Sequence, residues 1–170
     1  MLVSSLLRPE AVATGISIKN KQEILEKLVD LAMACGSVVD RTAALSALLE
    51  REALCSTAIG HGIAIPHSAQ PLPGVFKGVA LAVVRLEHGL DLDAPDGKPV
   101  RLFVLMGTDD RKQHLQVLGG LARLFRNDQV RDDLLMAPTS AAFTDALMRA
   151  DAVLNRLDGT EPPACPIVCT

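Results

Sequence analysis

The sequence predicts a single α/β domain in which a mixed β-sheet is flanked by helices on both faces. Three observations predict it. Two apolar runs, VALAVV at 79–84 and LFVLM at 102–106, are continuous enough to be strands covered on both sides. Segments with a helical apolar period lie before and after them. The chain has 170 residues, 49% of them apolar, which is the size of one domain with a full core.

Taken in order, the first ~18 residues read as a short strand or loop ending in GISI. Asn20 is placed to cap a helix over 21–35, whose positions Ile24, Leu28, Leu31 and Cys35 follow the helical period and which Gly36 stops. Asp40 is placed to cap a second helix over 42–54, with Leu45, Leu48 and Leu49 facing inward. STAIGHG is expected to be a loop of small residues, and IAI a short strand ahead of Pro66. GVALAVVRL, at 78–86, is a longer strand, and DLDAPDG a turn in which Pro95 presets φ. VRLFVLMG, at 100–107, is another buried strand. Asp110 with Gln113 imitates a capping box at the start of a third helix over 111–126. NDQVRDDLLM and SAAFTDALMRAD supply two more helices. The domain is expected to span 1–157, followed by a loose Pro- and Cys-containing tail over 158–170.

Composition excludes several classes of function. The formal net charge is −3, with no basic footprint for nucleic acid. Without Trp or Tyr there is no aromatic platform for stacking bases. The apolar runs fall far short of the ~20 residues of a membrane span. The N-terminus lacks the basic and apolar regions of a signal peptide, so a cytoplasmic address is expected. None of the four cysteines forms a C-x-x-C pair. Cys35 and Cys55 read as small core residues. No P-loop and no G-x-G-x-x-G follows a strand, so ATP bound by this chain is not the expected phosphoryl source. The acidic loop at 91–102 fails as a calcium site, because Pro95 stands at the third ligand position and Leu102 where a closing Glu belongs.

The chemistry concentrates in GHGIAIPHSAQP, at 60–71. Pro66 has a fixed φ and pushes Ile65 to the extended region, so the His67 ring leaves a stiff strand end at a defined angle. Gly60 and Gly62 allow close approach of the chain without side-chain bulk. An imidazole titrating near ~6.5 is unprotonated at neutral pH and can attack phosphorus, forming a covalent intermediate. A histidine satisfied by backbone hydrogen bonds at a strand end is the ordinary alternative. His114 lies one turn into the third helix, on the stripe shared with Leu118, Leu121 and Phe125, near a helix start where an anion is welcome. It could donate a hydrogen bond to a phosphoryl oxygen, or be a core histidine bound to a carbonyl. Arg51 offers a guanidinium suited to phosphate, or a helix arginine paired with Glu50 or Glu52. His61, His67 and His114 could be drawn as a zinc site, but two ligands on so short a glycine segment, with no acidic partner, make a poor one, and no metal or cofactor is expected. His88 reads as solvated surface.

REALCSTAIGHGIAIPH, at 51–67, resembles the active-site signature of IIA domains of the fructose–mannitol type in the bacterial phosphoenolpyruvate:sugar phosphotransferase system. Arg51, Glu52, Ser56, Thr57, Ile59, Gly60, Gly62, Ile63, Ala64, Ile65, Pro66 and His67 carry the match, which continues into HLQVLGGLARLFRND. The resemblance implies a mixed sheet flanked by helices, phosphorylation of His67 by a phosphorylated HPr-type carrier, a hydrogen bond from His114 to the phosphoryl group, and Arg51 lining the site. Gly60, Gly62, Pro66 and Ser68 would shape it, Ser68 standing where Gly or Ala is common. With no IIB or membrane IIC domain attached, the chain is most similar to the nitrogen-regulatory IIA proteins. These signal by phosphorylation state to targets such as kinases and transporters. The alternative is a sugar-specific IIA that passes the group to a separate IIB.

Overall fold

The computed structural model describes residues 2–157. Two single-turn 3-10 helices, Ser4–Leu6 and Pro9–Ala11, lead into strand β1 (Val12–Ile16). Helices α1 (Lys21–Ala34) and α2 (Arg41–Leu54) follow, then strands β2 (Ala58–Gly60), β3 (Ile63–Ala64), β4 (Val79–Leu90) and β5 (Val100–Thr108). Helices α3 (Arg111–Arg126), α4 (Asp128–Met136) and α5 (Ser140–Leu157) complete the described residues. The tail expected over 158–170, with Cys165 and Cys169, lies outside them.

The strands form one five-stranded mixed sheet in the order β1-β4-β5-β3-β2. β1 runs parallel to β4, β4 antiparallel to β5, β5 parallel to β3, and β3 antiparallel to β2. The two apolar runs are the central pair, with Val83 opposite Val104. Residues 80–84 and 102–108 are buried without alternation, because helices cover both faces: α1 packs on β4 and β5 with α2 behind it, while α3 lies on β5 and α5 on β1.

The capping residues act as expected. Asn20, Asp40 and Asp110 each accept a hydrogen bond from the backbone N–H three residues on, at 2.8–2.9 Å. The second half of the capping box at α3 does not form: Gln113 Oε1 is buried without a partner. Three expectations need correcting. STAIGHG holds a strand, β2, because Ala58–Gly60 pairs with β3 at the sheet edge. β4 runs on to Leu90, so the exposed His88 lies in a strand instead of a loop. Cys55 is exposed instead of packed in the core, since it is the C-cap residue that leaves α2.

Candidate phosphoryl-transfer site

His67 sits where β3 would continue. Ile65 N donates to Thr57 O (3.0 Å), and Met106 N donates to Pro66 O (2.9 Å). His67 itself bridges to Met106 in parallel register, so the proline-stiffened segment is anchored on both sides against its neighbours. His67 Nδ1 lies 2.7 Å from the Ile65 carbonyl. A carbonyl can only accept, so the ring proton of neutral His67 is on Nδ1, and Nε2 carries the lone pair.

β5 ends at Thr108 and the chain turns through Asp110 into α3, which places His114 over the same end of the sheet. The two rings meet edge to face with centroids 6.2 Å apart. His114 is buried, with Nδ1 3.4 Å from the Thr108 hydroxyl oxygen. That hydroxyl has a second partner, the Asp110 carbonyl at 3.1 Å. It has one proton to give. Turned toward Asp110, it accepts from His114 Nδ1–H. Turned toward the ring, it leaves the proton on Nε2.

Arg51 occupies the last turn of α2, and its Nη1 donates to the Cys55 carbonyl (2.8 Å). Arg51 and the buried Ser68 line one groove at the end of α2. The Ser68 hydroxyl donates to Gln70 O (2.8 Å), which folds the chain as it leaves His67. Gly60 and Gly62 lie elsewhere than the sequence suggested. They flank His61 in the β2–β3 turn, all three with positive φ, and an added Cβ would meet Asp96 at Gly60 and the Pro99 carbonyl at Gly62. Gly62 O accepts from Leu102 N, whereas His67 bridges to Met106, so the turn shapes the site only through the strand it launches. Among the described residues, no cluster of three or more His, Cys, Asp and Glu side chains could hold a metal ion.

Two supports of the site escape a search for reactive groups. Glu52, though buried, accepts from Thr57 N (3.1 Å) and Thr57 Oγ1 (2.6 Å) and faces Lys21 Nζ at 3.5 Å. It holds the segment whose Thr57 carbonyl anchors Ile65. Thr108, fully buried, is the other. The Arg51-Glu52 dipeptide was a usable signal for Glu52. Nothing local marked Thr108.

Both imidazoles are held below their ordinary pKa. For His67 the main cause is burial, opposed by the Ile65 hydrogen bond, with Arg51 lowering it further and Glu52 raising it. For His114 burial dominates and the charge of His67 adds to it. The unfolded chain therefore binds protons that the folded one does not, between the folded values and the ordinary ~6.5. Stability rises with pH through that window and falls on acidification. Urea midpoints measured from about pH 7.5 down to about pH 5 should decrease, and a His67→Gln/His114→Gln double variant should flatten the dependence. An unchanged slope in that variant would contradict the burial argument.

Comparison with known proteins agrees with this architecture. Residues 5–150 match the family model described as phosphoenolpyruvate-dependent sugar phosphotransferase system, EIIA 2. The chain is 35% identical to the fructose-specific EIIA component of Haloferax volcanii over 85% of its own length and 94% of that protein. It is 32% identical to the nitrogen regulatory protein of Bradyrhizobium diazoefficiens, over 86% and 95%. The crystal structure of nitrogen regulatory protein IIA-Ntr from Neisseria meningitidis superposes with a TM-score of 0.75 at 28% identity, covering 85% of this chain and 98% of that one. With the match running from the first 3-10 turn to α5, the chain belongs to the EIIA 2 family and is a phosphoryl-carrier component of a phosphotransferase system.

Proposed function

We propose that this chain accepts a phosphoryl group on Nε2 of His67 from a phosphorylated HPr-type carrier protein. One observation carries the reading: the Ile65 carbonyl holds the proton on Nδ1 and leaves Nε2 as a nucleophile beside a second, buried imidazole. In the transfer the Nε2–P bond forms as the carrier's N–P bond breaks. The leaving ring takes back its electron pair. His67 keeps its Nδ1 proton, so no proton has to move. The positive charge that appears on the His67 ring lies against the Ile65 carbonyl oxygen. Positioning and charge neutralisation supply the catalysis. Arg51, with most of its donors uncommitted, neutralises phosphoryl oxygens, and His114 donates from Nε2 once the Thr108 hydroxyl turns to its Nδ1.

Incubation with phosphoenolpyruvate, Enzyme I and the carrier should add one acid-labile phosphoryl group. Phosphorus–nitrogen couplings should place it on Nε2 of His67; a group found on Nδ1, on His114 or on a hydroxyl overturns the mechanism.

This reading gives the protein a cytoplasmic address and no cofactor. The likeness to nitrogen regulatory proteins supports a signalling output, in which added charge at His67 switches the docking of targets such as kinases or transporters. The likeness to a fructose-specific component supports a second output, passage of the group to a separate IIB domain. Rapid dephosphorylation by a fructose- or mannitol-type IIB favours the second; partner lists that differ between His67→Ala and His67→Glu favour the first.

A further inference from the structure

At the opposite end of the sheet from the two imidazoles, a groove of about 370 Å³ opens between the β2–β3 turn, the start of β5 and α4. Arg101, on its wall, is five residues along β5 from Met106, the partner of His67, roughly 16 Å at the rise of a strand. The two sites are separate.

Basic side chains outnumber carboxylates among the described residues that line this groove. Lys98, Arg101 and Arg131 line it together with His61, in a chain whose net charge is −3. Arg131 is committed: it donates to Asp128 (2.6 Å) and to the Phe125 carbonyl (2.8 Å). Lys98 makes no ion pair among the described residues, though the exposed Asp96 carboxylate at the rim feels its charge, and Arg101 has no such partner. Asp96 receives the backbone N–H groups of His61 and Lys98, which sets the rim, and among the described residues the exposed Asp132 is the only carboxylate on the wall. Among the described residues the Arg101 guanidinium has no hydrogen bond or ion pair, and its Nε is buried without a partner. The same holds for Arg85, whose protonation is disfavoured first by burial and then by the nearby charge of Arg101. Both arginines are half-buried; a buried N–H without an acceptor is costly, and two like charges near each other add to that cost.

We propose that this groove binds a small phosphorylated metabolite, with Arg101 and Lys98 holding the phosphate and His61 at its rim. A guanidinium fork matches phosphate oxygens in pairs, and the volume lies at the small end of the range for ligand sites, ~300–1,000 Å³. The ligand is a sugar phosphate or similar phosphomonoester and not a nucleotide. Among the described residues no aromatic other than His61 lines the groove, and its apolar surface, chiefly Pro99 and Leu135, offers no face for a base.

The test is a heteronuclear NMR titration of the full chain with glucose 6-phosphate, with glucose and AMP as comparison ligands. Glucose 6-phosphate should give saturable shifts at the amides of Gly62, Lys98 and Arg101. Arg101→Gln should weaken binding at least 10-fold and Lys98→Ala several-fold, while His67→Gln binds as the parent does. Lys98→Ala decides the matter if Arg101→Gln fails to fold. No saturable shift, shifts confined to the surroundings of His67 and His114, equal affinity in the groove variants, or tighter binding of glucose or AMP would each overturn the proposal. Because His67→Gln retains this site, its outcome is independent of the phosphoryl-carrier reading.

Discussion

His67→Gln should abolish phosphoryl uptake from the carrier, by at least roughly 10³-fold in initial rate, the scale on which losing a nucleophile is felt. The change removes the ring's bond to the Ile65 carbonyl, but the anchors on either side, Ile65 N to Thr57 O and Met106 N to Pro66 O, are backbone bonds that it does not touch. The loss should therefore come with an unchanged fold, shown by a native-like amide spectrum and melting temperature. His114→Ala should leave the nucleophile intact and slow uptake by about 10²-fold, as losing one donor to a developing oxyanion does. Gel-shift or radiolabel kinetics on the three proteins measure both effects. If His67→Gln still takes up the label at a rate near the parent's, the group is carried elsewhere. If His114→Ala matches the parent, the second ring is a core residue and no more.

The largest effect on stability is expected from Gly107→Ala. An added Cβ would lie 2.4 Å from two carbons of the Phe76 ring and 2.7 Å from a third. Phe76 is fully buried and bridges to Val38 in the connection after α1, so the ring cannot swing away without breaking the packing under that loop. Overpacking of a rigid core costs ~1–3 kcal/mol, and a clash with an immobile ring belongs at the top of that range. A loss of about 3 kcal/mol corresponds to a fall in Tm of roughly 10 °C for a domain of this size. Gly107→Ala/Phe76→Leu should recover part of the loss by making room. A variant melting within a degree of the parent would mean that the ring is free to move.

The helices were legible because their signals are local. Asn20, Asp40 and Asp110 act within three residues of themselves, and the apolar period names the buried face whatever the partner. β4 and β5 were legible for a related reason: strands covered on both sides need unbroken apolar runs. β2 was not, since Ala58–Gly60 has no apolar pattern of its own and becomes a strand only by pairing with β3. Cys55 failed in the same way, because the residue type favours burial while the end of α2 points it to solvent.

For the site, the stiff presentation of His67 and the odd position of His114 on an inward stripe could be read directly, as could the suitability of Arg51 for phosphate. That the two rings meet at 6.2 Å could not. They are 47 positions apart in the chain, and their meeting depends on β3 and β5 being parallel neighbours, a choice made by packing over the whole sheet. The sheet also decided that Gly60 and Gly62 lie with His61 and Arg101 at its other end, away from the residue they precede so closely in the chain. Residue chemistry and short-range backbone preference are properties of the local sequence. Which side chains share a volume, and which proton each ring keeps, are set by long-range contacts that no short stretch encodes.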